Sequence, residues 1–218
     1  MTKLFLTSAG LVPETYPGFL KPLGKDPEGS RLVYVPTASD PEPDKSYADE
    51  DTKRLSDIGF LAKNIDLKDK SEELLNKELS DADIVYVQGG NTFYLLDWVR
   101  KSGFDKAIKK FLGRGGLYIG VSAGSMVAGV NIETAGWKYA DRNIVNLKDL
   151  TAMELVPFAI APHINVSNVE ATKNEAAKVS YPVIALTDAQ AVVVDGPKTE
   201  VIGPGEKLIF NNSEFYKS

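Results

Sequence analysis

The sequence predicts an α/β fold of three layers, α/β/α, with a mostly parallel sheet and a short antiparallel edge at the C-terminal end. Three observations lead to this prediction. Short apolar segments rich in β-branched and aromatic residues recur along the chain, and segments with helical periodicity lie between most of them. Strands that alternate with helices form βαβ units, whose strands run parallel. Near the C-terminal end the apolar runs are instead separated by glycine and proline, which indicates antiparallel strands.

The predicted elements follow from these patterns in order. Strands are predicted at residues 4–7, 32–36, 64–67, 84–88, 117–121 and 183–186, and helices at 46–59, 71–79, 92–101 and 104–112. Two helix starts are marked, because Ser71 precedes two glutamates and Thr92 follows Asn91 at an N-cap position. Residues 191–195, 199–202 and 207–211 are interpreted as an antiparallel meander of the same domain. Residues 11–30, with four prolines and three glycines, are predicted to be a surface loop near the C-terminal end of the sheet.

Composition and length limit the classes of protein that the chain can form. A chain of 218 residues with 43% hydrophobic and 25% charged residues is typical of one globular domain, expected to span 1–218. The net charge of -5 argues against nucleic acid as a partner. No apolar run approaches the roughly 20 residues that cross a bilayer, and the N-terminus lacks the regions of a signal peptide. We therefore expect a cytoplasmic protein without a membrane partner.

The chain contains no cysteine and one histidine. The absence of cysteine excludes disulfides, thiolate metal sites and a cysteine nucleophile. A single histidine and the lack of clustered carboxylates predict neither a metal site nor a cofactor. A homodimer is compatible with the sequence, which contains no feature that decides the oligomeric state.

The segment Gly120-Val121-Ser122-Ala123-Gly124 joins an apolar strand to an apolar, helix-compatible run. A serine between small residues at such a junction is typical of a nucleophile elbow, in which strand and helix pack closely around a strained residue. Ser122 is therefore the predicted nucleophile. The alternative is a plain tight turn, because glycine- and alanine-rich turns produce similar patterns.

A serine hydroxyl needs a positioned base, and His163 is the one histidine of the chain. It follows an apolar segment and Pro162, which predicts a position at a strand end, where catalytic groups of parallel sheets gather. The alternative is a structural histidine. Asp188 is the preferred acid because it closely follows the predicted strand 183–186. Other carboxylates after the elbow are candidates too, and each could equally be a surface charge: Glu133, Asp141, Asp149, Glu154 and Glu170.

An oxyanion hole requires two backbone N–H groups directed at the developing charge. Ala123 supplies one as the residue after the nucleophile, and Gly90 is predicted to supply the second. Gly90 belongs to Gln88-Gly89-Gly90-Asn91-Thr92, where paired glycines let the backbone approach a substrate. Gly89 and Asn91 are therefore assigned to substrate binding, and the alternative is a simple strand-to-helix turn. Trp137 and Tyr139 follow the elbow helix and are predicted to border the pocket.

The segments QGGNTFYLL, GGLYIGVSAGSMVAG and IAPHI occur in this order, and with them the chain resembles the dipeptidase E family of serine peptidases. This family, S51, includes aspartyl dipeptidase and the cyanophycinases. The resemblance covers most of the chain. It implies a fold like that of class I glutamine amidotransferases, with serine in place of cysteine at the elbow. It also implies Ser122 as nucleophile, His163 as base, Gly90 and Ala123 as oxyanion hole, and Asp188 as the acid.

The sequence departs from the family pattern in two places. The position of an aspartate that follows the elbow in dipeptidase E matches Trp137, which favours Asp188 as the acid. No arginine follows Arg142, although the family uses an arginine there to pair with the substrate's aspartyl carboxylate, and Lys173 is the nearest cationic replacement. Lysine lacks the bidentate geometry of arginine, so the preference for N-terminal aspartate stays open.

The sequence thus predicts a serine peptidase that acts on dipeptides or short peptides through an acyl-enzyme. One alternative is an esterase of the α/β-hydrolase type, in which the acid precedes the histidine and would be Asp141 or Asp149. Another is a catalytically silent binding protein on the same scaffold, consistent with Trp137 and the missing arginine.

Overall fold

A sheet of seven strands forms the centre of the molecule, and a smaller sheet of three strands lies beside it. The computed structural model describes residues 2–137 and 141–211. The strands are β1 (Lys3–Thr7), β2 (Arg31–Val35), β3 (Leu61–Asn64), β4 (Ile84–Val87), β5 (Leu117–Val121), β6 (Ala159–Ala161), β7 (Val183–Ala185), β8 (Ala191–Asp195), β9 (Lys198–Ile202) and β10 (Leu208–Phe210). The α-helices are α1 (Tyr16–Leu23), α2 (Ser46–Asp57), α3 (Glu72–Glu78), α4 (Thr92–Ser102), α5 (Phe104–Gly113), α6 (Ala123–Met126) and α7 (Val169–Ala176).

The large sheet has the order β3-β2-β4-β5-β1-β8-β9. The strands from β3 to β1 in this order are parallel, and β8 and β9 continue the sheet with antiparallel pairings. The carboxyl ends of β4, β5 and β1 therefore meet at the same edge, next to one another. In parallel α/β sheets this edge is where ligands bind.

Alternate residues of the central strands face two separate cores, because side chains along a strand point to opposite faces. On one face, residues such as Leu4 and Val85 pack with α4 and α5. On the other, residues such as Phe5 and Tyr86 pack with α1 and α2. This arrangement confirms the predicted α/β class with a mostly parallel sheet covered on both faces.

The smaller sheet has the order β10-β7-β6, with β6 and β7 parallel and β10 antiparallel to β7. It packs against α7 through Ala159, Val183 and Ala176. Because β6 and β7 are parallel neighbours, the residues that follow their carboxyl ends lie side by side.

Most predicted elements are present, and β3 is the one whose position was wrong. The strand covers Leu61–Asn64, whereas the prediction was 64–67. All four residues of β3 are exposed at the edge of the sheet, so the strand has no hydrophobic signal. The prediction followed Ile65 and Leu67, which are buried just beyond the strand.

The prediction of a structureless loop at 11–30 was also wrong, because α1 lies within it. Pro17 stands in the first turn of α1, where the missing N–H is not needed. Phe19 is fully buried, and its ring lies 5.8 Å from that of Phe5 and 6.1 Å from that of Phe60, measured between centroids. Tertiary packing thus stabilises a short helix that its two prolines, Pro17 and Pro22, concealed in the sequence.

The C-terminal meander is correct for β8 and β9 and wrong for β10, which leaves the large sheet to pair with β7. None of the helices that the structure describes is long and apolar enough to span a membrane.

Candidate active site

Ser122 stands at a sharp turn between β5 and α6. Its backbone angles, φ 47° and ψ -105°, lie in a region that residues other than glycine rarely occupy. The buried Ser125 stabilises the turn, because its Oγ lies 2.8 Å from the Thr7 carbonyl oxygen and 2.7 Å from that of Gly120. The Tyr118 hydroxyl donates to the Gly124 carbonyl oxygen at 2.6 Å. Ser122 thus lies between the end of β5 and the start of α6, and the interpretation of this turn as a nucleophile elbow stays a prediction.

Small residues on both sides of Ser122 are required by the packing. A Cβ at Gly120 would lie 2.6 Å from the Gly124 carbonyl oxygen, and one at Gly124 would lie 2.2 Å from that of Val87. Both distances are too short for any side chain. The glycines thus let α6 pack directly on β4 and β5, which fixes the position of the serine.

His163 follows β6 and faces Ser122. Its Nε2 lies 2.9 Å from Ser122 Oγ, and its Nδ1 lies 2.7 Å from Asp188 Oδ1. Asp188 follows β7, so the parallel pairing of β6 and β7 brings the two side chains together. The hydrogen bond with His163 lowers the pKa of Asp188, although burial opposes the shift. Ser122, His163 and Asp188 thus form a hydrogen-bonded chain, and their catalytic roles stay predictions.

Two residues that the sequence did not indicate hold His163 in place. Ser8, the residue after β1, accepts a hydrogen bond from the His163 backbone N–H at 2.8 Å and donates to Asp188 Oδ1 at 2.9 Å. Asn168 Nδ2 donates to the His163 carbonyl oxygen at 2.9 Å. His163 has φ 59°, a left-handed conformation, so these contacts fix a backbone that is otherwise unfavourable. Ser8 and Asn168 are both buried.

Three of the other candidate acids, Glu133, Asp141 and Asp149, have partners other than His163. Asp141 Oδ2 accepts a hydrogen bond from the Thr92 backbone N–H at 2.7 Å, at the start of α4. Asp149 is exposed, pairs with Arg100 at 3.3 Å and accepts from the Thr151 backbone N–H. Glu133 accepts a hydrogen bond from the Tyr181 hydroxyl. Among these carboxylates and Asp188, only Asp188 is bonded to His163.

The paired glycines lie against the serine. A Cβ at Gly89 would lie 3.2 Å from Ser122 Cβ, so this backbone approaches Ser122 directly. Gly90 has φ 136°, and a Cβ there would lie 2.3 Å from the Ala38 carbonyl oxygen. Ala123 is the first residue of α6, so its N–H is one of the amides that have no partner within the helix. The geometry is compatible with an oxyanion hole formed by Gly90 and Ala123.

A cavity opens beside Ser122 and His163, and three of the residues assigned to substrate binding do not line it. Asn91 is buried as the N-cap of α4, where its Oδ1 accepts from the Tyr94 N–H at 2.9 Å and its Nδ2 donates to the Arg142 carbonyl oxygen at 3.0 Å. Trp137 packs against the core of the smaller sheet. Lys173 is exposed on α7. These three residues thus have other roles or positions: a helix cap for Asn91, an apolar core for Trp137 and the outward face of α7 for Lys173. Tyr139, which was predicted to border the pocket, lies outside the described residues.

A cavity of about 490 Å³ opens beside Ser122 and His163. Its size is within the range of small-ligand sites. Four carboxylates and one guanidinium line it, several of them on or before α2, which the sequence did not link to the site. The lining residues are Ser8, Ala9, Val12, Glu42, Tyr47, Glu50, Asp51, Arg54, Gln88, Gly89, Gly90, Val121, Ser122, Asp141 and His163.

Asp51 is the buried carboxylate of the cavity lining, and the partly exposed Arg54 pairs with it. Arg54 Nη1 donates to Asp51 Oδ1 at 3.1 Å, and the Tyr86 hydroxyl donates to Asp51 Oδ2 at 2.6 Å. Burial raises the pKa of Asp51, and these two partners oppose the shift. In residues 2–137 and 141–211, no three histidine or carboxylate side chains are grouped closely enough to hold a metal ion.

Comparison with protein families matches residues 4–202 to the model described as peptidase family S51. A protein of Listeria monocytogenes, described as an uncharacterized peptidase, is 34% identical over 165 residues, which are 76% of this chain and 79% of that protein. An uncharacterized peptidase of Pasteurella multocida is 30% identical over 95% of this chain and 100% of its own length. Peptidase E of Shewanella denitrificans is 26% identical over 90% of this chain and 83% of that protein.

Solved structures give the same result. The crystal structure of a candidate peptidase E from Listeria monocytogenes superimposes with a TM-score of 0.82 at 29% identity, covering 94% of this chain and 100% of that one. A peptidase from an acI-B1 Actinobacterium has a TM-score of 0.69 at 16% identity, covering 98% and 96% of the two chains, and shows the shared fold alone.

Proposed function

Because the chain belongs to peptidase family S51, we propose that this peptidase is of the serine type and hydrolyses dipeptides or short peptides through an acyl-enzyme on Ser122. One observation carries the proposal. Ser122 Oγ lies 2.9 Å from His163 Nε2 at the mouth of a substrate-sized cavity, and Asp188 lies 2.7 Å from the other ring nitrogen. These are the contacts that a nucleophile, a base and an orienting acid make with one another.

In the first half of the reaction, Ser122 Oγ attacks the scissile carbonyl carbon while His163 Nε2 takes the hydroxyl proton. Asp188 accepts the hydrogen bond from His163 Nδ1–H, so Nε2 is free to act as the base. The carbonyl oxygen becomes negatively charged in the tetrahedral intermediate. The N–H groups of Gly90 and Ala123 stabilise this charge.

The intermediate collapses when His163 gives its proton to the leaving amine. The amine departs, and an ester joins the acyl residue to Ser122. Water then enters, and His163 takes one of its protons while the oxygen attacks the ester carbonyl. Breakdown of the second intermediate returns the proton to Ser122 Oγ and releases the acid product, so every proton is accounted for.

The left-handed backbone of Ser122 serves this chemistry. The packing of Gly120 and Gly124 fixes this backbone, and Ser122 Oγ lies within hydrogen-bond distance of His163 Nε2. Strain of this kind persists where the surrounding structure fixes it, which is common at active sites. A hydroxyl held in place loses less entropy when it attacks the substrate.

The proposal is tested by labelling with a fluorophosphonate and by hydrolysis of a panel of Asp-X, Glu-X, Lys-X and neutral dipeptides. We expect the wild type to form an adduct on the peptide that contains Ser122 and to cleave at least one member of the panel. Ser122→Ala is expected to form no adduct and to lose about 1,000-fold or more in kcat.

Ser56→Ala is the matched control, because Ser56 is exposed on α2 and does not line the cavity. This variant is expected to be labelled and active like the wild type. Circular dichroism and thermal unfolding establish that both variants fold. A folded Ser122→Ala protein with wild-type hydrolysis would refute the proposal.

A further inference from the structure

The charge of the cavity differs from what an aspartyl substrate requires. Glu42, Glu50 and Asp141 line it, and none of the three forms an ion pair within the described part of the chain. Arg54 is the one lysine or arginine among the lining residues that the structure describes, and Asp51 already pairs with it. An incoming carboxylate would thus meet a wall of net negative charge, and like charges in such a site repel.

A second observation indicates that the cavity favours a hydrogen-bond donor. Gln88 lines the cavity and is 1% exposed, and its Oε1 has no hydrogen-bond partner among residues 2–137 and 141–211. The Gln88 side chain also hydrogen-bonds with Asp51, which lowers the pKa of that carboxyl. A carboxylate only accepts hydrogen bonds, so the amide N–H of Gln88 is the group that faces Asp51, and Gln88 Oε1 remains as an acceptor without a donor. A buried acceptor without a partner costs free energy until a donor arrives.

The Tyr47 hydroxyl adds to the same pattern. It lines the cavity, and its oxygen is buried without a hydrogen-bond partner in the described part of the molecule. Burial, together with the nearby Glu42, Asp44 and Asp141 carboxylates, raises the pKa of Tyr47 to about 12. The phenol therefore stays neutral, and the charge of the cavity lining is that of its four carboxylates and Arg54. Its oxygen is a second free acceptor for a cationic donor.

We propose that the cavity receives the acyl-side residue of the substrate and selects an ammonium or guanidinium group on it, with Glu42, Glu50, Asp141 and the Gln88 oxygen as the selecting groups. This inference rests on the proposed function. The assignment of the cavity to the acyl-side residue rests on the charges of the two ends of a dipeptide. The leaving residue of a dipeptide ends in a carboxylate, which this cavity repels, whereas the acyl residue begins with an ammonium group. A lysyl or arginyl side chain brings a second cation with up to three or five N–H donors.

The test compares kcat/KM for dipeptides with a common leaving residue: Lys-Leu, norleucyl-Leu, Asp-Leu, and the Nα-acetylated forms of the first two. Released leucine is measured by chromatography at pH 7. Norleucine has the length of lysine without its charge. We expect kcat/KM for Lys-Leu to exceed that for norleucyl-Leu by about tenfold and that for Asp-Leu by about a hundredfold, because opposite charges attract and like charges repel in a partly buried site.

The acetylated peptides distinguish the two sources of positive charge. If acetyl-Lys-Leu keeps its advantage over acetyl-norleucyl-Leu, the side-chain ammonium occupies the acidic wall. If Lys-Leu and norleucyl-Leu are cleaved equally and acetylation abolishes both activities, the α-ammonium occupies it. Either result supports a cation-selecting cavity. Asp-Leu cleaved as well as Lys-Leu, or acetyl-norleucyl-Leu cleaved as well as Lys-Leu, would overturn the inference.

Charge-neutral variants test whether the glutamates of the cavity cause the preference for a positively charged substrate. Glu42→Gln and Glu50→Gln are each expected to lower the ratio of kcat/KM for Lys-Leu over norleucyl-Leu severalfold. Glu73→Gln is the matched control, because Glu73 is exposed on α3, away from the cavity, and the change in charge is the same. Its ratio is expected to equal that of the wild type. If the α-ammonium is the selected cation, Glu42→Gln and Glu50→Gln are instead expected to lower kcat/KM for Lys-Leu and norleucyl-Leu alike, severalfold below the values of Glu73→Gln. Absence of both changes in the two variants would overturn the assignment of these glutamates.

Failure of this inference is distinguishable from failure of the proposed function. Fluorophosphonate labelling of Ser122 together with cleavage of a neutral or acidic dipeptide supports the serine mechanism and leaves the charge preference as the failed part. Absence of labelling and of hydrolysis for every dipeptide in the panel contradicts the mechanism itself.

Discussion

The hydroxyl of Ser8 lies 2.8 Å from the backbone nitrogen of His163, although 155 positions separate the two residues in the chain. The same hydroxyl donates to Asp188 at 2.9 Å. Ser8 directly follows β1 of the large sheet, whereas His163 and Asp188 follow strands of the smaller sheet. One buried oxygen therefore joins the two sheets at the point where the base must face Ser122.

We predict that Ser8→Ala lowers kcat by about 10-fold to 100-fold and leaves KM close to the wild-type value, because the base loses its fixed orientation while the cavity keeps its shape. The variant also leaves the His163 N–H without its acceptor. A buried donor without a partner costs about 1–3 kcal/mol, so the free energy of unfolding should fall by that amount. Steady-state kinetics and denaturant unfolding measure the two effects.

Ser30→Ala controls for the loss of any buried serine. Ser30 is 2% exposed, and its Oγ donates to the Asp26 carbonyl oxygen at 3.2 Å, away from the cavity. Its kcat is expected to match that of the wild type. If Ser8→Ala were destabilised but kept full kcat, Ser8 would be a structural residue alone.

Asp188 is the proposed acid that orients His163. Asp188→Asn replaces the acceptor of the His163 Nδ1–H bond by an amide that can impose the wrong tautomer, so we expect kcat to fall by about 100-fold to 10,000-fold. Asp149→Asn is the control, because Asp149 is exposed and bonded to Arg100 and Thr151 rather than to His163. Loss of activity in Asp149→Asn with retention in Asp188→Asn would favour the acid order of α/β-hydrolases.

Gly90 is the proposed second N–H donor of the oxyanion hole. Alanine at this position would adopt φ 136°, and its Cβ would lie 2.3 Å from the Ala38 carbonyl oxygen, so the loop must move. We expect Gly90→Ala to lower the melting temperature and to reduce kcat by at least about 100-fold, since one oxyanion donor is displaced. Thermal unfolding and initial rates test both effects.

Gly113→Ala is the matched substitution without a clash. Gly113 ends α5, and a Cβ there would meet nothing within 4 Å. Alanine should therefore stabilise the protein by up to about 1 kcal/mol and leave kcat unchanged. If Gly90→Ala behaved like Gly113→Ala, the close approach of the loop to Ala38 would carry no catalytic role.

The sequence identified the candidate residues that lie in a recognisable local sequence pattern. Ser122 stands between glycines whose Cβ positions are blocked, and this requirement is visible in the five letters around it. His163 and Asp188 each follow a short apolar strand, and parallel pairing of those strands brings them together. Their roles as base and acid are predictions that the kinetic measurements above test.

The residues that the sequence missed are defined by tertiary pairing alone. Ser8 is one serine after one strand, and its contact with His163 depends on the position of β1 beside β5. Asp51 and Arg54 lie on α2, whose pattern indicates only an amphipathic helix. Asp51 and Arg54 line the cavity because α2 lies beside the carboxyl end of the large sheet. Nothing in the local sequence predicts that placement.

The errors in the fold have the same origin. Hydrophobic periodicity locates buried residues, and it identifies strands only where strands are buried. The edge strand β3 is exposed throughout and was displaced in the prediction, whereas the fully buried β5 was predicted at its observed bounds. The helix α1 forms because Phe19 enters the core beside Phe5, a contact between segments that no local pattern links.

Substitution of Asn91 distinguishes a residue that contacts substrate from one that only caps α4. As a cap, its Oδ1 satisfies the Tyr94 N–H, so Asn91→Ala should lower the free energy of unfolding by about 1 kcal/mol. Gly90, the proposed oxyanion donor, precedes Asn91, so loss of the cap should loosen the loop and lower kcat severalfold. KM for a cleaved dipeptide should stay within about twofold of the wild-type value. Ser71→Ala removes the comparable cap of α3, where Ser71 Oγ accepts from the Leu74 N–H at 3.3 Å, and should change stability without changing either kinetic constant. A tenfold rise in KM for Asn91→Ala, with kcat retained, would instead assign Asn91 to substrate binding, because loss of a uniform binding contact raises KM alone.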